Sequence, residues 1–333
     1  VMHRAAIRRT ATRRGPGWGR APPRCTGMRP EPPYDAGVSA YDEFAYFRDN
    51  ADEAGLAWTG APQVERIHHV TDSGRRVSAL RWGSAPAGFV MLHGGGQNAH
   101  TWDTVALALD QPLLALDLPG HGHSDWRDDH DYRPQAAAPD VSHTLTAHAA
   151  DAHTVVAMSL GGLTALALQL HGHPAPERLV LIDVTPGVNR EKASEIEAFL
   201  RGPETFASFD EILERTVLFN PTRSESSLRR GILHNARERP DGRWEWRYDL
   251  PEEVPADLAA FDPSHLWDAV RDHPGQLVLI RGGASPVVDD DDVAELMRLR
   301  PDARVEVFAD AGHSIQGDKP VELARFLLSL TGS

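Results

Sequence analysis

The sequence predicts an α/β protein: a mostly parallel central sheet flanked by helices, with an insertion of helices after the sixth strand. Three observations predict this class of fold. Short apolar segments alternate with longer Ala- and Leu-rich segments, as strands and helices alternate around a parallel sheet. Turns that contain glycine follow several of the apolar segments. Residues 186–262 interrupt this alternation with a run of helix-like segments, after which it resumes.

The predicted elements follow one another in a regular order. Two segments of alternating polarity joined by Asp72, Ser73 and Gly74 predict a hairpin, and the later apolar segments predict parallel strands. We predict strands at 66–70, 76–82, 89–92, 113–116, 153–158, 178–183, 276–281 and 304–308. We predict helices at 41–58, 101–109, 141–150, 163–170, 190–200, 208–218, 224–237, 264–271, from 289 onward, and at 320–330.

Residues 1–36 differ in composition from the rest of the chain. They contain eight arginines and are dense in proline and glycine, and no acidic residue precedes Glu31. A segment without a periodic apolar face cannot bury enough surface to offset its ordering entropy, so we expect a disordered leader. The alternative is a targeting peptide, because Arg-rich, acid-poor beginnings are typical of transit sequences. The remaining chain divides into a core of residues 37–185 and 263–333 and the insertion at 186–262.

Composition narrows the class of protein. The net charge of −14 argues against nucleic acid or an anionic membrane as a partner. The single cysteine, Cys25, excludes an intrachain disulfide and favours a reducing compartment. No apolar run approaches the roughly 20 residues that span a bilayer. We therefore expect a cytoplasmic protein with a small-molecule partner, and the sequence leaves its oligomeric state open.

Ser159 stands where a buried strand must turn sharply into a helix. Small residues, Ala157 and Gly161, lie two positions before and after it. A turn this tight forces its central residue into an uncommon backbone conformation and lifts the hydroxyl out of the sheet. A serine that caps a helix would leave a similar pattern, so other segments must decide between the two readings.

Two further segments favour a nucleophilic serine. After His93, an apolar strand runs into residues 94–96, all glycine, where backbone N–H groups can point toward an anionic oxygen. Near the C-terminus, His313 follows the strand-like segment 305–308. A serine hydroxyl is a poor nucleophile by itself and needs a base, and the pKa of a free imidazole lies near neutral pH.

With these motifs and the turn-rich segment 117–124 in this order, the chain resembles the α/β-hydrolase family from about Glu65 to Leu330. The resemblance implies catalytic groups on loops at the carboxyl ends of the strands, and it implies no metal and no organic cofactor. It assigns the nucleophile to Ser159, the base to His313, and the oxyanion hole to the backbone N–H groups of Leu160 and Gly95, with Gly96 as the alternative to Gly95.

The acid of the triad departs from the usual pattern of the family. Its common position follows the seventh strand, where this chain has Ser285, and a serine cannot carry the charge. Asp183 ends the sixth strand, where some members of the family carry the acid, and we predict it as the acid here. The alternative is one of the aspartates at 289–292, for which capping of the next helix is a sufficient role.

The insertion resembles the helical lid of this family, which covers the site and shapes the pocket. Trp244 and Trp246 in this segment either contact a ring-bearing substrate or anchor the lid to the core, and the sequence leaves both open. Together the motifs predict a serine hydrolase that cleaves a small hydrophobic carboxylic ester or lactone through an acyl-enzyme. In the position of the acid and in having a lid, the chain resembles, among others, lactonases that open the macrocyclic lactone zearalenone.

Two alternatives to an ester hydrolase remain. One is a carbon–carbon bond hydrolase of the same fold. The other is a non-catalytic ligand-binding protein or receptor, which the missing aspartate at Ser285 would favour. Dehalogenases and epoxide hydrolases of this fold use an aspartate nucleophile, so Ser159 argues against them.

Overall fold

An eight-stranded sheet forms the framework of the protein, for which the computed structural model describes residues 41–221, 223–249 and 262–332. The strands in chain order are β1 (Val64–Val70), β2 (Arg76–Trp82), β3 (Phe89–Leu92), β4 (Leu113–Leu116), β5 (Thr154–Met158), β6 (Arg178–Ile182), β7 (Thr205–Phe206), β8 (Ala236–Glu238), β9 (Trp244–Trp246), β10 (Gln276–Gly282) and β11 (Arg304–Phe308). The order in the large sheet is β1-β2-β4-β3-β5-β6-β10-β11. Within the described residues of this large sheet, the antiparallel pairs are those of β2 with β1 and with β4. The other pairs are parallel, so the predicted mostly parallel sheet is confirmed.

Helices cover both faces of this sheet. The helices in chain order are α1 (Phe47–Glu53), α2 (Asp103–Leu109), α3 (Pro134–His148), α4 (Leu160–Leu170), α5 (Arg190–Leu200), α6 (Phe209–Phe219), α7 (Glu225–Asn235), α8 (Trp267–Asp272), α9 (Asp290–Leu299), α10 (Ile315–Asp318) and α11 (Pro320–Thr331), of which α5, α6 and α7 belong to the insertion and not to the covering layers. Short 3₁₀ helices at Ala99–Trp102 and Pro263–Leu266 precede α2 and α8. In the part of the chain that the structure describes, no helix has the length and apolar character needed to cross a membrane.

The core has two halves, one on each face of the sheet. Along β5, Val155 and Ala157 face α3, α4, α8 and α9, whereas Val156 and Met158 face α1, α2 and α11. All four side chains are buried because a strand that is covered on both faces has no polar side. This burial on both faces explains the continuous apolar runs of the sequence. It also holds the central strands, and therefore their carboxyl ends, in fixed positions.

Two helices differ most in their bounds from the prediction. The first was predicted at 41–58, but α1 is shorter and is followed by Gly55, whose φ of 67° does not continue a helix. α3 begins at Pro134 rather than at residue 141, because a proline in the first turn loses no helical hydrogen bond. Pro139 lies inside α3, and the two prolines concealed its first turns from the sequence pattern.

The insertion is not wholly helical, which corrects the prediction of a helical lid. Alongside α5, α6 and α7 it contains a small antiparallel sheet of order β7-β9-β8. Its own apolar cluster includes Phe206, Ile212 and Trp246. The strands have only two or three residues each, which is too short for a periodic pattern to reveal. The predicted leader and residues 250–261 of the insertion lie outside the described residues.

Candidate active site

Ser159 occupies a strained turn between β5 and α4. Its φ of 50° and ψ of −119° lie in a region that residues with a side chain rarely adopt. The turn requires glycine two residues later, because a Cβ at Gly161 would lie 2.5 Å from the carbonyl oxygen of Leu92. Ser159 is partly exposed, while the strand before it is fully buried. The structure thus places the serine in the conformation that the sequence pattern predicts for a nucleophile elbow.

Asp183 and His313 form a hydrogen-bonded pair on loops at the carboxyl ends of β6 and β11, which lie on either side of β10. His313 Nδ1 lies 2.8 Å from Oδ2 of Asp183, which follows β6 and is fully buried. The carboxylate also accepts hydrogen bonds from the Gly282 N–H at 2.9 Å and from the Ser285 hydroxyl at 2.5 Å. Three donors therefore hold the carboxylate in place, and its contact with Nδ1 leaves Nε2 of the imidazole available as a base.

Strand order brings the serine to the same edge of the sheet as this pair. β5, β6, β10 and β11 are consecutive neighbours, so Ser159, Asp183 and the loop that carries His313 follow one another along that edge. Among the described residues no hydrogen bond joins Ser159 to His313. Such bonds are often long in the free state of an enzyme and shorten when substrate binds.

The predicted oxyanion donors lie beside the serine. A Cβ built at Gly94 would be 3.2 Å from Cβ of Ser159, so the loop after β3 passes directly over the elbow. Within the described part of the chain, the N–H groups of Gly95 and Leu160 donate no hydrogen bond to other groups. Leu160 opens α4, whose N-terminus adds a favourable dipole for an anion. Both groups can therefore bind a developing oxyanion.

His93 holds this loop rather than taking part in proton transfer. It is fully buried, and its Nε2 accepts a hydrogen bond of 2.9 Å from the backbone N–H of Leu118. That bond fixes the proton on Nδ1, which lies 2.7 Å from the carbonyl oxygen of Gly94. Burial lowers the pKa of His93 and keeps the ring neutral.

Gln97 is a residue of the site that the sequence analysis did not find. Its Oε1 accepts hydrogen bonds from the Gly94 N–H and from the Gln316 amide, each 3.2 Å long. Its Nε2 donates to Oγ of Ser314, the residue after His313, also at 3.2 Å. One side chain thus connects the oxyanion loop to the loop of the base. Nothing in the local sequence could indicate this role, because its partners at 314 and 316 are more than two hundred positions away.

The aspartates at 289–292, which were the alternative candidates for the acid, lie at the N-terminus of α9, where two of them cap the helix. Asp289 accepts a hydrogen bond from the Asp292 N–H, and Asp292 accepts one from the Asp289 N–H, so the two form a capping box. Lys192 of the insertion forms ion pairs with both of them. None of them contacts His313 in the described structure, where the carboxylate beside His313 is that of Asp183.

The two tryptophans of the insertion pack mainly within it. Trp244 lies edge to face with Phe209, and Trp246 packs against Phe206 and stacks on Tyr248. Trp246 also lines a cavity of about 670 Å³ between the insertion and the core, which Gln97 and Gln316 border as well. Trp246 can therefore contact a ligand in that cavity, whereas Trp244 does not line it. The described contacts of Trp244 lie within the insertion itself, so they support neither of its two predicted roles.

A buried cluster outside this site contains ligand types that bind metals. Among the described residues, His100, Asp103 and His234 have ligand atoms within 4.8 Å of one another. The two imidazole rings are stacked, with centroids 3.9 Å apart and planes inclined by 12°. A metal lies in the plane of each imidazole that binds it, and one ion cannot lie in two parallel planes. The arrangement fits a buried ionic network, in which Glu43 also contacts His100 at 3.0 Å.

Comparison with known proteins agrees with this geometry. Residues 89–326 match the alpha/beta hydrolase family, and the chain belongs to that family. It is similar to esterase Rv0045c of Mycobacterium tuberculosis, with 41% identity over 305 residues that cover 88% of this chain and 98% of the esterase. A crystal structure of that esterase has a TM-score of 0.76, with 41% identity over 89% of this chain and 100% of the solved one. N-formylmaleamate deformylase of Pseudomonas putida is 30% identical over 260 residues, covering 75% of this chain and 90% of the deformylase.

Proposed function

We propose that this protein is a serine hydrolase that cleaves small-molecule carboxylic esters through an acyl-enzyme. The observation that carries the proposal is the hydrogen bond between Asp183 and His313 at the sheet edge where Ser159 occupies its strained turn. The similarity to an esterase over nearly its whole length supports the same class of reaction.

The reaction follows from the positions of these groups. Nε2 of His313 takes the proton of the Ser159 hydroxyl as its oxygen attacks the ester carbonyl, and Asp183 stabilises the resulting imidazolium. The carbonyl oxygen becomes an oxyanion, to which the N–H groups of Gly95 and Leu160 donate. The imidazolium then gives its proton to the departing alcohol, which leaves an acyl group on Ser159. Water activated by the neutral imidazole cleaves this acyl-enzyme and restores the serine.

The proposed substrate is a hydrophobic ester that the insertion covers as a lid. Leu200 of α5 lies over the oxyanion loop, with its Cδ1 3.6 Å from a Cβ built at Gly95, so an apolar side chain adjoins the proposed position of the acyl group. Lactones are cyclic esters and would react by the same steps. Opening of a macrocyclic lactone of the zearalenone type is the narrower form of this proposal, for which the acid at Asp183 and the lid are the supporting features. The single cysteine supports action in the cytoplasm.

Labelling with a fluorophosphonate tests the proposal directly. We expect the full-length protein to gain one phosphonyl adduct on Ser159, with loss of p-nitrophenyl ester hydrolysis. Ser159→Ala should show neither the adduct nor hydrolysis, while its circular dichroism spectrum stays that of the parent. A protein that takes up no adduct and hydrolyses no ester in a panel of acyl lengths would instead be a binding protein. Cleavage of a carbon–carbon substrate without ester turnover would favour the other alternative.

A further inference from the structure

Near the oxyanion loop, a buried tyrosine hydroxyl has no hydrogen-bond partner in the described part of the chain. The Tyr248 side chain is 7% exposed, and its hydroxyl is buried without a partner among the described residues. Burial raises the pKa of this phenol, so the group is neutral and carries a proton to donate. A hydroxyl that is removed from water without a partner destabilises a fold. The presence of one here therefore calls for a role outside the stability of the fold.

A partly buried tyrosine of the protein, Tyr132, shows the usual arrangement. The Tyr132 hydroxyl donates to Asp249 and accepts a hydrogen bond of 2.8 Å from the Arg127 N–H. The chain next to Tyr248 is also well bonded, since the Asp249 N–H donates to the carbonyl oxygen of Gly120 at 2.8 Å. The backbone is thus held on one side of Tyr248, and its ring stacks on Trp246 with centroids 5.6 Å apart, while the hydroxyl has no partner among residues 41–221, 223–249 and 262–332.

Tyr248 adjoins the proposed reaction centre through Gly96. A Cβ built at Gly96 would lie 3.5 Å from Cε1 of Tyr248 and would overlap Cδ2 of Leu200. Gly96 has a φ of 70°, a conformation that favours glycine, and it directly follows the proposed oxyanion donor Gly95. Leu200 and Tyr248 therefore meet over this loop. A substrate group that displaces the Leu200 side chain from Gly96 comes next to the tyrosine ring and its hydroxyl.

We propose that Tyr248 is a specificity-determining residue, whose hydroxyl donates a hydrogen bond to an oxygen acceptor that the substrate carries near its scissile carbonyl. This inference rests on the proposed ester hydrolysis and narrows it. The preferred substrates are esters with an ether, keto or hydroxyl oxygen close to the carbonyl, in otherwise apolar surroundings. Esters with a plain hydrocarbon chain leave the hydroxyl unpaired and bind without this contribution.

The test compares two esters of the same shape, p-nitrophenyl methoxyacetate and p-nitrophenyl butyrate, which differ by one ether oxygen in place of a methylene. The quantity measured is the ratio of kcat/KM for methoxyacetate to that for butyrate. We expect this ratio to be about tenfold larger for the parent protein than for Tyr248→Phe. Because intrinsic reactivity of the esters is the same for both proteins, it cancels between the two ratios. Tyr46→Phe makes the same chemical change at a tyrosine that packs on His234, and it should keep the parent ratio.

Thermal unfolding separates a substrate role from a structural one. Because Tyr248→Phe removes an unpaired buried hydroxyl, we expect its Tm to equal or exceed that of the parent. A lower Tm would mean that the hydroxyl has a partner in the fold, and it would overturn the proposal. Equal ratios in the parent and Tyr248→Phe would overturn it as well while leaving ester hydrolysis intact. Absence of turnover of both esters by the parent would instead overturn the proposed function, and this inference with it.

Discussion

The hydroxyl of Ser285 donates a hydrogen bond of 2.5 Å to the same carboxylate oxygen of Asp183 that contacts His313. Ser285 follows β10, and Asp183 follows the adjacent strand β6. Ser285, which occupies the position where the acid more commonly lies, thus donates a hydrogen bond to Asp183 on the adjacent strand. Because an oxygen of a buried carboxylate is costly to leave without donors, a serine at 285 complements the aspartate at 183.

Asp183→Asn should lower kcat by about 10⁴-fold, because an amide there can hold the imidazole in the wrong tautomer and cannot stabilise its cation. The measurement is ester hydrolysis at saturating substrate, with Tm as the check on folding. Asp289→Asn is the matched control, since asparagine caps a helix as well as aspartate does and turnover should stay near that of the parent. If Asp289→Asn caused the large loss and Asp183→Asn did not, the assignment of the acid would be wrong.

Ser285→Ala should lower kcat by a smaller factor, about tenfold, because it removes one of the three donors to Asp183 and leaves the charge in place. KM should change little, since the hydrogen bonds of Ser285 in the described structure are with Asp183, Val287 and Gly282. Ester hydrolysis by the purified variant measures both constants. Turnover as low as that of Asp183→Asn would show instead that the serine has a direct role in the chemistry.

Gln97→Ala should lower kcat by about tenfold to a hundredfold, because the oxyanion loop and the loop of His313 lose their common hydrogen-bonded link. The rate of fluorophosphonate labelling should fall by a similar factor, since it depends on the same alignment and not on substrate binding. Gln97→Glu retains the acceptor for Gly94 and should recover part of the rate. Gln276→Ala, an exposed glutamine at the start of β10, is the control. Unchanged labelling in Gln97→Ala would mean that the loops hold their positions independently.

Leu200→Ala should shift preference toward longer acyl groups, because it opens space above Gly95 and Gly96. We expect kcat/KM for a p-nitrophenyl octanoate to rise by about tenfold relative to the acetate. Leu218→Ala is the matched control, since that leucine of α6 is 82% exposed and removing its side chain should not alter the preference. The same preference in parent and Leu200→Ala would place the acyl pocket elsewhere.

The free energy of unfolding should be greatest near pH 6.5 and decline on both sides. Burial alone lowers the pKa of His100, but the charge of Asp103 and its hydrogen bond outweigh burial and raise this pKa to about 9. The contribution of His100 is therefore complete below its unfolded pKa of about 6.5 and is lost as pH rises through about 9. Burial lowers the pKa of His121 to about 3, so its contribution is lost as pH falls from about 6.5 toward that value.

Denaturant unfolding between pH 5 and pH 9 measures this profile. Each histidine can contribute a slope of up to about 1.4 kcal/mol per pH unit. His121→Asn should flatten the acid side of the profile, and His171→Asn, a substitution at an exposed residue, should leave it unchanged. A free energy of unfolding that is level across this pH range would contradict the assignment of these two protonation states.

The catalytic candidates could be named from the sequence because each stands in a local pattern with a physical cause. The turn at Ser159 needs small neighbours, the loop before Gly95 needs glycine, and both constraints act within a few residues. The buried strands could also be predicted from a local pattern, because a strand that is covered on both faces must be continuously apolar. The small sheet of the insertion was missed because strands of two or three residues have no such pattern.

The sequence by itself determined the α/β framework, the strained serine and the histidine after the last strand, because backbone sterics and burial act over short stretches of chain. Only the tertiary structure decided which aspartate meets His313, how Ser285 supports it, and how Gln97 joins two loops. Those choices depend on which strands are neighbours and on contacts between residues about one hundred to two hundred positions apart. Such contacts form when the sheet assembles, so they cannot be predicted from the local sequence around either residue.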